Sequence, residues 1–228
     1  QIGYGTHASK IYKTTNGGKN WQTIKNSTIS YLEDVVATSI DSAFAFGTYG
    51  YIYYTYNSGQ NWDSLHFDST SSFITAHVFD HDSLWFIGYR YDYTIIYKTG
   101  DGCQTFTQDT IQGIIGSQDI EVNRKGKIFI AGQKVNFLDR SIFYSDDQGL
   151  TWNPLNAVNA NQVLDIETID NTIMHTGSFG NMYTSIDSGI TFFNRSVSQN
   201  AAYVKIISDS LAFGFHGGSN YPKIFKST

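Results

Sequence analysis

The segment KIYKTTNGGKNW at residues 10–21 contains the phrase that decides the fold, because close copies of that phrase recur along the chain. The phrase is Ser/Thr-x-Asp/Asn-x-Gly-x-x-Trp/Phe, and we call it the box. Box copies begin at Thr14, Thr55, Thr99, Ser145 and Ser185, and a sixth copy starts at Ser227. Successive copies lie 40 to 46 residues apart, which is a period typical of propeller blades and solenoid units.

Each period contains four extended runs of residues. An aromatic-rich run such as YIYYT at 51–55 precedes the box, a run ending in Gly such as AFAFG at 43–47 precedes that one, and a third run starts near Asp34. The residues after the box Trp or Phe form the fourth. Short β-branched and aromatic runs between Gly, Asn, Asp and Ser clusters indicate strands. We therefore predict four antiparallel strands per repeat, named a to d from the inside outward.

The fold class that follows is an all-β protein, a β-propeller of four-stranded antiparallel blades in which five to six blades are present. Aromatic residues make up 16% of the chain and charged residues only 15%, and large rings fill the space between packed sheets efficiently. We expect a single domain over 1–228 that is a fragment of a seven-bladed ring. The predicted repeats are 1–30 (partial), 31–72, 73–116, 117–160, 161–200 and 201–228 (partial).

The residue types of the box suit a tight turn between strands c and d. Its Ser/Thr and Asp/Asn side chains can accept backbone hydrogen bonds, its Gly tolerates a positive φ, and its Trp or Phe can pack against a neighbouring sheet. Cys103 replaces Gly in the third copy, where we expect either a strained turn or a different one. The residues with this structural role are Thr14, Asn16, Gly18, Trp21, Thr55, Asn57, Gly59, Trp62, Thr99, Asp101, Phe106, Ser145, Asp147, Gly149, Trp152, Ser185, Asp187, Gly189 and Phe192.

The box resembles the Asp-box, or BNR, repeat of sialidase-like propellers. Together with the preceding I-Y-x-T strand and the GGKNW and GLTW endings, it looks most like bacterial BNR-repeat proteins, whose relatives include photosystem II assembly factors and sortilin-type receptors. The resemblance implies a propeller with the boxes as structural hairpins on the blade rim, away from the active face. It implies no particular activity, because a fold does not determine a function.

The b–c connections are predicted to lie at the end of the blades opposite the boxes, which we call the upper end. Loops on a rigid frame often carry function, and three of these connections are long. Mixed tyrosine and arginine surfaces are typical of recognition sites, although long loops can also simply cover a blade. The candidate ligand-binding residues are Arg90, Tyr91, Asp92, Tyr93, Asn136, Phe137, Asp139, Arg140, His216 and Tyr221.

Three acidic residues, Asp34, Asp119 and Asp165, recur near the start of strand a, at the mouth of the expected channel. They could form a partial anionic ring for a cation or a substrate. The commoner role of an Asp at such a position is to cap the preceding turn, and we favour that interpretation. The chain shows no His or Cys spacing typical of a metal centre and no nucleotide loop. We therefore expect no metal and no cofactor.

Two enzyme classes, a sialidase and another glycoside hydrolase, would each need particular charged residues at the upper end. A sialidase needs three arginines around the substrate carboxylate, but only Arg90 and Arg140 are expected at the upper end, so no triad is visible. Another glycoside hydrolase would need only two suitably spaced carboxyls, which Asp92, Asp139 or the strand-a acids could supply. That alternative stays open, as does a purely structural spacer domain.

The partner class is narrowed by charge and hydropathy. The formal net charge is −5 and the basic residues are scattered, which argues against nucleic acid. The absence of an 18-residue apolar run in the sequence argues against membrane insertion. Low charge with abundant Asn, Ser, Thr and Tyr suggests a secreted or cell-surface bacterial protein. We predict non-catalytic recognition of a protein or carbohydrate ligand through the b–c loops.

Overall fold

A computed structural model describes the chain in ten segments. The chain divides into two compact units, Gln1–Gln112 and Gly113–Thr228. The described residues form antiparallel strands with one short 3-10 turn, Thr48–Gly50, which confirms the all-β prediction. The described segments are 2–27, 30–91, 93–111, 114–134, 140–155, 163–177, 181–195, 203–208, 211–216 and 223–226.

In unit 1 the described strands form three antiparallel sheets, blades 1 to 3, with neighbouring strands adjacent in sequence. Blade 1 contains β1 (Gly3–His7), β2 (Lys10–Thr14) and β3 (Gln22–Asn26). Blade 2 contains β4 (Leu32–Ala37), β5 (Ala43–Gly47), β6 (Tyr51–Thr55) and β7 (Asp63–His66). Blade 3 contains β8 (Ser72–Val78), β9 (Leu84–Arg90), β10 (Tyr93–Thr99) and β11 (Thr107–Ile111).

In unit 2 the described strands form three further antiparallel sheets, blades 4 to 6. Blade 4 contains β12 (Ile114–Val122), β13 (Ile128–Lys134), β14 (Arg140–Ser145) and β15 (Asn153–Leu155). Blade 5 contains β16 (Val163–Ile169), β17 (Thr172–Gly177), β18 (Met182–Ser185) and β19 (Phe193–Asn194). Blade 6 contains β20 (Tyr203–Ser208), β21 (Leu211–His216) and β22 (Lys223–Lys226).

A bulge in strand a explains the glycine that ends the predicted strand-b runs. The register between β4 and β5 shifts between Leu32 and Asp34, and there the backbone of strand a approaches strand b closely. A Cβ atom on Gly47 would lie 1.9 Å from the carbonyl oxygen of Tyr31, and one on Gly88 would lie 2.0 Å from a strand-a carbonyl. No side chain fits at such a distance, so these positions require glycine.

The two units have cores of different composition. The core of unit 1 contains aromatic rings, among them Phe44, Phe46 and Phe86, which are fully buried. The rings of Phe46 and Phe86 meet edge to face with centroids 5.3 Å apart, a geometry that adds to the gain from burial. A core cluster of unit 2 is mainly aliphatic, with Ile166 and Ile173 at its centre.

The box forms the same turn in all five described copies. The Ser/Thr hydroxyl accepts a hydrogen bond from the backbone N–H four residues later, at 2.8–3.0 Å. The donor residue has a positive φ in every copy, 79° at Gly59 and 66° at Cys103. Cys103 therefore keeps the common turn, and its backbone lies in a left-handed region that is unfavourable for a residue with a side chain.

Close packing on the preceding blade is a second reason for glycine in the box. A Cβ atom on Gly59 would lie 2.8 Å from Cδ1 of Ile24 on β3, and one on Gly189 would lie 2.5 Å from Cδ2 of Leu155 on β15. The box of one blade thus rests on an aliphatic side chain from the outer strand of the blade before it. Glycine supplies the small size as well as the conformational freedom.

The aromatic residue of the box has two different environments in unit 1. Trp62 packs edge to face against Tyr4 of blade 1, with centroids 6.2 Å apart, so it joins neighbouring sheets as expected. Trp21 is 48% exposed and covers Gly3 and Gly5 of its own blade. The expectation that Trp21 packs between sheets is therefore wrong, because the missing side chains of the two glycines leave room for the indole within blade 1.

Candidate functional site

The upper end of unit 1 brings together the start of strand a and the b–c turn of blade 2. The backbone N–H of Tyr31 donates to Oγ1 of Thr48 at 3.0 Å. The backbone N–H of Thr48 donates in return to the carbonyl oxygen of Tyr31 at 2.9 Å. These reciprocal bonds fix the turn next to the strand, so the side chains of Tyr31 and Tyr49 lie at the same end of blade 2.

The connection from blade 2 to blade 3 supports the same turn from the other side. The backbone N–H of Phe67 donates to the carbonyl oxygen of Gly50 at 3.1 Å. A Cβ atom on Gly50 would lie only 2.1 Å from the carbonyl oxygen of Asp68. Tyr49 and Gly50 both have a positive φ, 61° and 67°. The turn is therefore held in a strained conformation that directs Tyr49 outward, and such strain is maintained only by firm surroundings.

Asp68 connects this turn to blade 3. Its carboxylate accepts hydrogen bonds from the backbone N–H groups of Thr70 and Ser71 at 2.8 and 2.9 Å, and it pairs with the Arg90 guanidinium. The Nε atom of Arg90 also donates to Oγ of Ser71 at 3.3 Å. Although desolvation raises the pKa of Asp68, hydrogen bonds from Thr70, Ser71 and Arg90 hold it well below its ordinary value.

Four exposed tyrosines surround this framework, and we call them the upper tyrosine surface. Their residues are exposed by 63% at Tyr31, 49% at Tyr49, 38% at Tyr89 and 74% at Tyr91. Tyrosine offers a broad apolar ring and a polar hydroxyl, which is why it is enriched at protein interfaces. The surface is therefore suited to bind a partly apolar chain that also offers backbone hydrogen-bonding groups.

The predicted ligand-binding residues of blade 3 have different environments. Tyr91 is exposed, as a binding residue must be. Arg90 is engaged by Asp68 and Ser71, and Tyr93 is partly buried against the aromatic core. The Arg90 guanidinium holds two connections together, and its direct contact with a ligand stays a prediction. Four other residues of the upper tyrosine surface and its framework, Tyr31, Tyr49, Tyr89 and Asp68, were missed.

The remaining predicted residues of the long loops are not placed. Asp92, Asn136, Phe137, Asp139 and Tyr221 lie outside the described residues. Arg140 begins β14 and His216 ends β21, and their side chains are outside the described part as well. These residues stay predictions.

The three strand-a aspartates bind backbone N–H groups of strands. Asp34 accepts from Val35 at 2.7 Å. Asp119 accepts from Ile166 of the next blade at 3.1 Å, and Asp165 accepts from Val204 of the following blade at 2.6 Å. The capping interpretation is therefore wrong for Asp119 and Asp165, because their second oxygen bonds across to the adjacent blade.

Burial has a strong effect on these acids. Desolvation raises the pKa of Asp34 to about 6, although the N–H of Val35 opposes the shift. It raises the pKa of Asp165 to about 6 and that of Asp119 well above its ordinary value. Desolvation and the charge of Glu167 raise the pKa of Glu121 to about 7. Asp34, Asp165 and Glu121 therefore change charge between about pH 6 and pH 7.

Within the described segments, no group of three or more His, Cys, Asp or Glu side chains is arranged to hold a metal ion. No helix in the same part of the chain is long and apolar enough to cross a membrane.

The antiparallel blades, five of which have a described box between strands c and d, define a BNR-type β-propeller protein. The family can also be stated. The model of the photosynthesis system II assembly factor YCF48 family matches residues 3–169, and the chain belongs to that family. The predicted resemblance to BNR-repeat assembly factors is thereby confirmed. A search among curated proteins finds no match.

Solved structures show the same fold at low sequence identity. YCF48 bound to D1 peptide is 20% identical with a TM-score of 0.67, over 90% of this chain and 68% of that one. YCF48 from Cyanidioschyzon merolae is 12% identical with a TM-score of 0.63, over 90% and 74%. The GH74 enzyme of Niastella koreensis is 12% identical with a TM-score of 0.71, over 95% and 40%. These neighbours confirm the propeller fold.

The family corrects the expectation of a secreted or cell-surface bacterial protein. That expectation is wrong, because the matching family is described as an assembly factor of photosystem II. The expectation was based on a low content of charged residues and a high content of Asn, Ser, Thr and Tyr. Buried sheets and hydrogen-bonded box turns account for those residues equally well, so composition carried no information about location.

Proposed function

We propose that this protein is a non-catalytic binding protein that holds an extended segment of a partner protein on the upper tyrosine surface of unit 1. The observation that carries the proposal is the set of four exposed tyrosines on connections joined by hydrogen bonds. Exposed large side chains in such number at one end of two blades are characteristic of interaction surfaces.

The framework beneath the tyrosines supports tight binding. Asp68 joins the connection after blade 2 to the b–c turn of blade 3 through Arg90, and the turn at Tyr49 rests on the same connection. A surface that is ordered before binding loses less conformational entropy when the partner arrives. Tyrosine itself has few rotatable bonds for its contact area. A structural neighbour, YCF48, was solved with a bound D1 peptide, which favours a peptide as the ligand class.

The acidic residues of unit 2 do not favour a glycoside hydrolase. Hydrolases of that kind hold their two carboxyls roughly 5–5.5 Å or 6.5–9.5 Å apart, with the sugar between them. Asp119 and Asp165 hydrogen-bond to each other, which is a closer contact, and their remaining oxygens bind backbone N–H groups. The oxygens of the pair are therefore occupied by hydrogen bonds within the protein, which does not favour a catalytic role for these two carboxyls.

The proposal can be tested with selected peptides. Twelve-residue peptides would be selected from a random display library on the wild-type protein, and the best peptide would be titrated by fluorescence polarisation. The Tyr91→Ala and Tyr49→Ala variants are each expected to weaken its binding at least about tenfold, as loss of a hot-spot aromatic does. The matched control is Tyr203→Ala, since Tyr203 is also exposed but lies in unit 2.

Two outcomes would contradict the proposal. One is a failure to enrich any peptide over an uncoated surface. The other is a peptide that binds the tyrosine variants and the wild-type protein equally well. Thermal melting of each variant verifies that a loss of binding does not come from a loss of folding.

A further inference from the structure

Two buried carboxyls of unit 2 contact each other between neighbouring blades. Asp119 lies on β12, the innermost strand of blade 4, and Asp165 lies on β16 of blade 5. Desolvation and the charge of Asp165 both raise the pKa of Asp119, while a hydrogen bond with Asp119 offsets part of the rise at Asp165. Two carboxyls in contact do not both ionise at moderate pH, so the pair shares one proton.

The same two carboxyls also bind the backbone across the blades. One oxygen of Asp119 accepts from the N–H of Ile120 on its own strand at 2.8 Å, and the other accepts from the N–H of Ile166 on β16 at 3.1 Å. Asp165 accepts from the N–H of Val204 on β20 at 2.6 Å. The pair therefore connects the inner strands of three successive blades, β12, β16 and β20.

The other charged groups near the pair are mostly acidic. Glu121 on β12 and Glu167 on β16 repel each other, and Lys205 on β20 pairs with Glu167. His175 on β17 packs with Tyr183 and Phe192. The described side chains of β13 and β21, residues 128–132 and 211–214, include no titratable group. Lys205 is therefore the one cation whose charge acts on Glu167, Glu121 and Asp165 among the described residues of these strands.

We propose that Asp119 and Asp165 form a proton-linked clasp, in which one shared proton joins the inner strands of blades 4, 5 and 6 and its loss at alkaline pH loosens them. With the proton present, one carboxyl donates to the other and both still accept from the backbone. Without it, two like charges are left in contact in a poorly solvated place, and the Glu121–Glu167 repulsion adds to them.

The stability of unit 2 is expected to fall as the pH rises, because the pKa values of its buried carboxyls are raised. A carboxyl whose pKa is raised on folding stabilises the fold below its unfolded pKa, near 4, and loses that contribution as the pH rises through its folded pKa. The folded values are about 6 for Asp165 and about 7 for Glu121. The loss therefore falls between about pH 4 and pH 7, and unit 2 is more firmly closed at pH 5 than at pH 8.5.

Hydrogen exchange of single amides tests the clasp. The protection factors of the Ile166 and Val204 amides, corrected for the intrinsic pH dependence of exchange, would be measured at pH 5.0 and 8.5. In the wild-type protein we expect protection to fall about tenfold, because the folded pKa of Asp165, about 6, lies one unit above the lower pH and one unit of pKa corresponds to a factor of ten. In Asp119→Asn the neutral amide replaces the protonated carboxyl, and the fall in protection should be several-fold smaller, because only the desolvation of Asp165 and Glu121 still contributes to it.

The matched control is Asp34→Asn in unit 1. Asp34 also has a raised pKa of about 6, but it accepts from Val35 on its own strand. This variant should leave the pH response of Ile166 and Val204 unchanged. Should Asp119→Asn fail to fold, Asp165→Asn removes the same charge pair and is expected to reduce the response to a similar extent.

Three results would overturn the clasp. The first is equal protection of both amides at the two pH values in the wild-type protein. The second is a wild-type response in both Asp119→Asn and Asp165→Asn. The third is a response that persists in Asp119→Asn and vanishes in Glu121→Gln, which would assign the titration to the glutamate pair.

Discussion

Units 1 and 2 share one repeat but use its variable positions differently. Unit 1 has an aromatic core and a set of exposed tyrosines at its upper end. Unit 2 has a more aliphatic core and a group of buried acids on its innermost strands. The box turn and the blade order are the same in both. The comparison shows that the box and the strand pattern determine the blade, whereas the residues at the variable positions of the repeat determine what each unit can do.

The shared frame should tolerate the least change. We expect Gly47→Ala to unfold unit 1 or to destabilise it by more than about 4 kcal/mol, because its Cβ atom would lie 1.9 Å from a carbonyl oxygen. Urea denaturation measures the change. The control is Gly100→Ala, where nothing lies within 4 Å of the new methyl group. A Gly47→Ala protein as stable as Gly100→Ala would remove the proposed reason for the strand-b glycine.

A buried histidine distinguishes unit 2 from unit 1 in its response to acid. Burial lowers the pKa of His175 to about 4, so its contribution to stability is complete above pH 6.5 and is lost as the pH falls toward 4. Within the described residues neither ring nitrogen makes a hydrogen bond of ordinary geometry, although the backbone of Thr176 opposes part of the pKa shift. We therefore expect His175→Phe to gain about 2 kcal/mol over the wild-type protein at pH 5.

Chemical denaturation at pH 5 and pH 7.5 measures this gain. Part of it should be present at both pH values, because the substitution removes two unsatisfied polar atoms. The gain should nevertheless be larger at pH 5. An equal gain at the two pH values would show that His175 does not titrate as its burial implies.

An ion pair distinguishes the upper end of unit 1. Arg90 and Asp68 are about three-quarters buried, and Arg90→Ala leaves the Asp68 carboxylate without its cation. We expect a loss of about 1–3 kcal/mol in stability and weaker peptide binding through a looser turn at Tyr91. The control is Arg124→Ala in unit 2, whose exposed pair with Asp170 should contribute less than about 1 kcal/mol. Equal losses would show that the Asp68 framework is no more important than a surface ion pair.

The blades could be predicted from the sequence because their signals are local. The box turn depends on residues four positions apart. The strands depend on the alternation of apolar and polar residues and on side-chain type. The Asp68 framework and the Tyr49 turn were not predicted, since the candidate residues were chosen from the long b–c connections and Tyr49 lies in a short one. Its two positive φ values, which direct Tyr49 outward, depend on packing against Asp68. The sequence signal that could have indicated this turn is a tyrosine between two glycines in a short connection.

The contact between Asp119 and Asp165 could not be predicted from the sequence either. Asp119 and Asp165 were recognised as a recurring feature, but their mutual contact joins residues in different repeats. No local pattern shows which oxygen will reach the next blade. A single domain over 1–228 and a seven-bladed ring stay predictions, because they concern relations beyond one unit.

The most direct test of the central claim is a hydrogen-exchange footprint of the protein with a selected peptide bound. The account predicts slower exchange at the amides near Tyr31, at 48–50, at 67–71 and at 89–91, with little change at the boxes or in unit 2. Protection confined to unit 2 or to the box turns would contradict the assignment of the upper tyrosine surface as the binding site.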